Sequence, residues 1–217
     1  MASNEQSSNT LVWQTLHQQL GRMREMQGRY SNLFYELIII SIIVIILMTV
    51  ASMTDTLRGV VLLIPFYVIY VGVHSAYYLS YVIWARIYAT GLEQRLNELL
   101  KDDLLIAHRQ EAVYLFPLHG KEFAGVAPRL GQTFIGFITI HFWLLGAAAI
   151  GLSVYRAWQL YDELMREFPP VCYYFIALGA WALLHLFYLV WYFGTRHYER
   201  RIMDVVREAY GTEYDKA

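Results

Sequence analysis

Apolar residues in this chain follow two patterns that alternate along its length. In the first, long runs contain no Asp, Glu, Lys or Arg: Leu37–Thr54, Gly59–Ala85, Leu130–Tyr155 and Phe168–Thr195. A bilayer core about 30 Å thick takes about 20 helical residues, and every run reaches or approaches that length. In the second, apolar residues recur every three or four positions among polar ones. Val12, Leu16, Leu20 and Met23 form one such stripe, Leu92, Leu96, Leu99 and Leu100 another, and Ile202, Met203, Val205, Val206 and Tyr210 a third. This spacing predicts amphipathic helices. Apart from single glycines, no strong breaker separates them from the apolar runs. The pattern predicts an all-α integral membrane protein with four transmembrane helices as two hairpins and helices extending into the cytoplasm.

The expected organisation runs as follows. Residues 1–32 form a cytoplasmic amphipathic helix. Residues 33–111 hold the first hairpin (spans about 33–53 and 60–86) and its cytoplasmic helix. Residues 112–129, with Pro117, Gly120, Gly125 and Pro128 among Tyr114, Phe116 and Phe123, form an irregular or interfacial linker. Residues 130–210 repeat the arrangement (spans about 131–156 and 170–194), and 211–217 are a tail. Tyr and Trp cluster near the span ends, where amphipathic rings favour the headgroup layer.

Charge orients these spans. Only Arg58, Arg156 and Arg166 lie on one predicted side, which leaves 14 of the 17 Lys and Arg residues on the other. The positive-inside rule then puts both termini in the cytoplasm of a plasma (inner) membrane. The outward turns near Met53–Arg58 and Asp162–Pro170 are too short for an external ligand-binding domain. The polar first 30 residues lack a short apolar core with a cleavage site, so no removable leader is expected.

Composition narrows the function. The chain is 57% hydrophobic and 16% charged, against about 25% charge in soluble domains. A net charge of −1 offers no basic footprint, so nucleic acid is not an expected partner. A single cysteine, Cys172, excludes an internal disulfide and a Cys-x-x-Cys site. Phosphate-loop, nucleophile-elbow, zinc-protease and dinucleotide motifs are all missing.

The halves resemble each other. Tyr81-Val-Ile-Trp84 followed by Glu93-x-Arg95-Leu96-x-Glu98-Leu99-Leu100 matches Tyr188-Leu-Val-Trp191 followed by Glu199-x-Arg201-Ile202-x-Asp204-Val205-Val206, with one residue of slippage. Two spans per copy keep the copies parallel, so the hairpins are expected to be related by an axis along the membrane normal. His141 in an apolar span, Gly179-x-Trp181-x-x-x-His185 in the next, and the Tyr198–Ile202 run Tyr-Glu-Arg-Arg-Ile that follows resemble the bacterial two-transmembrane (2TM) domain family. That family often anchors signalling proteins. The resemblance covers roughly Gln132–Tyr210 and extends faintly to the first half through His74 and Glu93–Leu100, as in a degenerate tandem pair. The first half departs from the pattern: its first span has Ile and Leu where the histidine would fall, and no tryptophan precedes His74. The resemblance implies the topology and leaves the activity open.

His74, His141 and His185 are the polar groups that most need explaining, because ionisable residues deep in a span are costly. Axial ligation of haem b is one use, with His141 and His185 as the first pair and His74 with His185 as the second. Hydrogen bonding between packed helices is the commoner use, and a proton or ion path is the third. Glu36, at the cytoplasmic entry of the first span, serves gating or coupling, or simply reaches to the interface. Gly146–Ser153 and Ala177–Ala182 are rich in small residues that let helices approach closely. The expected function is therefore non-enzymatic: an oligomeric membrane scaffold, sensor or effector that works through its spans and cytoplasmic helices. Its expected partners are the bilayer, further copies of itself or a soluble cytoplasmic protein, with no cofactor. The alternatives are a haem b electron-transfer subunit and a membrane-perturbing pore or channel. A lipid-directed enzyme has no motif behind it.

Overall fold

The structure, a computed structural model, describes residues 2–114 and 134–211. The described residues are predominantly helical, without strands. Seven α-helices follow in order: α1 (Ala2–Ala51), α2 (Ile64–Leu100), α3 (Ala107–Tyr114), α4 (Phe134–Gln159), α5 (Tyr161–Glu167), α6 (Tyr174–Leu189) and α7 (His197–Tyr210). Short 3-10 turns at Arg58–Leu63 and Pro169–Tyr173 lead into α2 and α6. Four helical stretches, carried by α1, α2, α4 and α6, are long and apolar enough to cross a membrane.

The chain divides into two compact units, one of Met1–Asn32, Tyr78–Gly136 and Arg196–Ala217, the other of Leu33–Tyr77 and Phe137–Thr195. The first, the charged unit, packs the amphipathic stripes onto one another. Leu16 and Leu20 of α1 meet Ala89, Leu92 and Leu96 of α2, with Met23, Tyr88, Leu105 and Tyr210 around them. Not every stripe position is buried. Leu99 and Leu100 remain 40% exposed and Val12 46%.

The second, the apolar unit, has its core at one end. Val61 and Ile64 pack with Ala157, Leu160, Leu164, Val171, Tyr174 and Leu178. Along α4 the small residues divide between two faces. Ser153 is buried, and a Cβ on Gly146 would stand 3.6 Å from Val68, whereas Ala147, Ala148 and Gly151 face outward. Ile39, Ile40, Ile43, Ile46, Leu47 and Val50 of α1 are each more than half exposed.

Three local features refine the sequence expectation. The turn expected near Asp162–Pro170 contains α5, whose Glu163 and Glu167 both bind Arg58. The linker expected at 112–129 lies outside the described residues from 115 onward, and α3 occupies the stretch before it. The two repeat blocks also differ in continuity. In the first half both blocks sit on α2, while in the second a π-helical segment, Val190–Gly194, and a left-handed Arg196 (φ 50°) separate α6 from α7. The aligned acidic residues nevertheless share one fate, since Glu93 and Glu199 are both buried and both paired with an arginine.

Candidate functional site

The densest arrangement of chemical groups lies in the charged unit and joins α1, α2 and α3. On α2, Arg86 and Glu93 are two helical turns apart and so share a face. Both are buried, with Arg86 only 1% exposed. On α1, Arg24 and Gln27 are one turn apart, as are His108 and Glu111 on α3. Arg24 reaches both Glu93 and Glu111. Arg86 Nε donates to Glu111 Oε2 at 3.1 Å, and Gln27 Nε2 donates to Glu111 Oε1 at 3.0 Å. Glu93 Oε2 accepts the backbone N–H of His108 at 2.9 Å and lies 3.1 Å from its Nδ1. Two arginines thus face two carboxylates.

This pairing sets the state of Glu93. Burial pushes its carboxyl up, but the hydrogen bonds from His108 and Arg24, with the Arg24 charge, together hold it below the ordinary value. Glu199 goes the other way. Arg196, on the same turn at 2.6 Å through Nε, is its counter-charge, and burial outweighs it, so its carboxyl is raised.

The loop between α2 and α3 is built to present α3. Lys101 takes the left-handed conformation (φ 55°), and its N–H bonds Glu98 O while the Asp102 N–H returns to Asn97 O, each at 3.2 Å. These are the two crossed bonds that close a helix end. The Asn97 side chain then holds Leu105 from both sides, accepting its N–H and donating to its carbonyl at 2.9 Å each. A second polar tie fastens α7: Tyr88 and Tyr210 hydroxyls are 2.9 Å apart, and Tyr210 donates to Gln19 Oε1 at 3.3 Å.

The histidines singled out from the sequence sit in the apolar unit, on three different helices. His74 on α2 lies against Tyr70, with ring centroids 4.5 Å apart and its Nε2 3.4 Å from the Tyr70 hydroxyl. His141 on α4 is exposed, beside Phe137 and Phe142. His185 on α6 is half-buried. Its Nδ1 donates to the Trp181 carbonyl at 2.8 Å, and its ring lies 4.1 Å from that indole. Glu36 is exposed on α1. Among the described residues, no group of three or more His, Cys, Asp or Glu is placed to hold a metal ion.

Sequence reasoning passed over the α1–α2–α3 cluster because its members are far apart in the chain, with 69 residues between Arg24 and Glu93 in numbering and 87 between Arg24 and Glu111. One signal was present. Arg86 interrupts the apolar positions Ile83, Ala85 and Ile87, all of them buried, and an isolated charge in such a run requires a partner. The chain matches no protein-family model, no curated protein and no solved structure.

Proposed function

We propose that this is a plasma (inner) membrane protein with cytoplasmic termini, whose charged unit serves as a non-enzymatic scaffold or sensing module and whose spans assemble it into oligomers. The observation that carries the reading is the α1–α2–α3 cluster. Buried ion pairs contribute little net stability, yet they specify one register among alternatives. A module that fixes a short helix by charge rather than by apolar contact presents a defined surface to a partner. Outward-facing Ile and Leu side chains on α1, α4 and α6 support placing the apolar unit in lipid. The resemblance of His141, Gly179, Trp181, His185 and Tyr198–Ile202 to two-transmembrane anchors supports the same role. Mass determination in detergent and in nanodiscs tests assembly: an oligomer is expected in both, and a strict monomer in both overturns that part of the reading.

One observation favours haem b as the second reading. With Nδ1 of His185 engaged by the Trp181 carbonyl, the neutral tautomer leaves Nε2 free as a ligand, the arrangement that orients axial histidines. Purified protein titrated with haemin tests it. A Soret shift that disappears in His185→Ala supports ligation, and an unchanged spectrum ends it.

A further inference from the structure

An isolated helix needs at least about 12 residues to persist in water. Helix α3, Ala107–Tyr114, has eight, so its order depends on what it docks against. Among the described residues it adds no side chain to the core of Leu16, Leu20, Ala89, Leu92 and Leu96, to which Leu105 in the preceding loop does contribute. Its Ala107 and Val113 are exposed, Val113 to 81%. Polar ties fasten it: His108 to Glu93, and Glu111 to Arg24, Gln27 and Arg86.

The donors that meet Glu111 are positioned by α1 and α2. Arg24 sends one terminal nitrogen to Glu93 on α2 and shares the other between Glu111 and Gln27 Oε1, the latter at 2.9 Å. That bond fixes the Gln27 amide, so that its Nε2 donates to Glu111 Oε1 at 3.0 Å. Arg86 brings Nε to the other oxygen at 3.1 Å from a position only 1% exposed. Helices α1 and α2 are joined by the apolar core, so these donors keep their places when α3 is absent. The cluster then holds two guanidinium charges against the single carboxylate of Glu93. One excess positive charge, with donors for two oxygens, matches a carboxylate.

We propose that Arg24, Gln27 and Arg86 form a carboxylate-binding site, that Glu111 fills it as an internal competitor, and that an external carboxylate displaces Glu111 and releases α3. The proposal rests on the reading of the charged unit as a partner-binding module, and it names the chemistry of the partner. Two sources carry this group: an acidic side chain of a protein and a free organic acid. Release turns a docked helix into a disordered segment, a recurrent form of switch.

Full-length protein in detergent is titrated by calorimetry with hexaglutamate and, separately, with glutarate, while hydrogen exchange follows the amides of α3. Glu111→Ala is expected to bind about tenfold more tightly than wild type, the scale of one charge-assisted hydrogen bond no longer competing. In wild type, saturating ligand is expected to speed exchange in α3 to the level of Glu111→Ala. Arg24→Gln should weaken binding at least about tenfold. Gln27→Leu in the Glu111→Ala background keeps both arginines and should weaken it about fivefold, which secures the answer if Arg24→Gln fails to fold. Binding of hexaglutamate alone identifies a protein side chain as the source, and equally tight binding of glutarate identifies a free acid. The proposal is overturned by equal affinities of wild type and Glu111→Ala, by no binding to Glu111→Ala, or by binding that survives both Arg24→Gln and Gln27→Leu. The mass of the same samples keeps the two readings apart. An oligomer that takes up neither ligand overturns the site alone, and a monomer that binds and releases α3 overturns the assembly alone.

Discussion

One carboxylate oxygen of Glu93 receives two groups of a single residue, the backbone N–H of His108 at 2.9 Å and its Nδ1 at 3.1 Å. The other oxygen takes Arg24. Glu93 thereby ties both α1 and α3 to α2, beside the Arg86–Glu111 pair, and removing its charge leaves Arg24 and Arg86 facing Glu111 alone.

Glu93→Gln should therefore destabilise the charged unit by about 3 kcal/mol, the scale for breaking one partner of a buried ion pair. Thermal unfolding and limited proteolysis near α3 check this. The same residue fixes a pH dependence. Its folded value lies below the ordinary 4.5, so its contribution is present above pH 4.5 and is lost as pH falls through the folded value. The wild type should lose that stability in acid, and Glu93→Gln should show a flatter profile there.

Lys101 sits in the left-handed region, where a side chain costs about 1–2 kcal/mol. Lys101→Gly keeps both crossed backbone bonds and removes that cost, partly offset by the greater freedom of glycine in the unfolded chain. A rise in unfolding midpoint worth about 0.5–1 kcal/mol is expected. Lys101→Val should lower it, because a β-branched residue fits this conformation worst.

Arg196 combines two roles that substitution can separate. Arg196→Ala and Arg196→Gly both strip Glu199 of its partner, but only glycine relieves the left-handed backbone. Glycine should be less damaging than alanine by about 1 kcal/mol in thermal unfolding.

Glu199 has its folded value above the ordinary 4.5, so the folded state binds this proton more tightly than the unfolded one. The contribution favours folding below pH 4.5 and is lost as pH rises through the folded value. This slope is opposite to that of Glu93. Glu199→Gln, measured from pH 4 to 7, should remove the decline.

Periodicity exposed much of this architecture. The apolar runs marked the four long helices, and the three- and four-residue spacing put Leu16, Leu20, Leu92 and Leu96 on apolar stripes that pack together in the structure. Spacing alone could not say how far along a stripe the packing extends, and Leu99 and Leu100, on the same stripe, are exposed. The break at Arg196 escaped for another reason: the left-handed residue is itself an arginine, and the one nearby breaker, Gly194, stands two residues before it. Rarity drew attention to His74, His141 and His185, while the α1–α2–α3 cluster was hidden among ordinary surface charges. Pairing across 69 or 87 positions leaves no local trace.

Helix α7 is bounded by a left-handed residue at each end, Arg196 before it and Gly211 (φ 66°) after it. Between these stops, Glu199, Val206 and Tyr210 must all face inward, the last two four residues apart on one side. One residue more or fewer between them would swing everything beyond it by about 100°. The Tyr210 hydroxyl would then miss Tyr88 and Gln19. Natural variation in this segment should therefore appear as exchanged side chains and almost never as a change in the number of residues from 196 to 211.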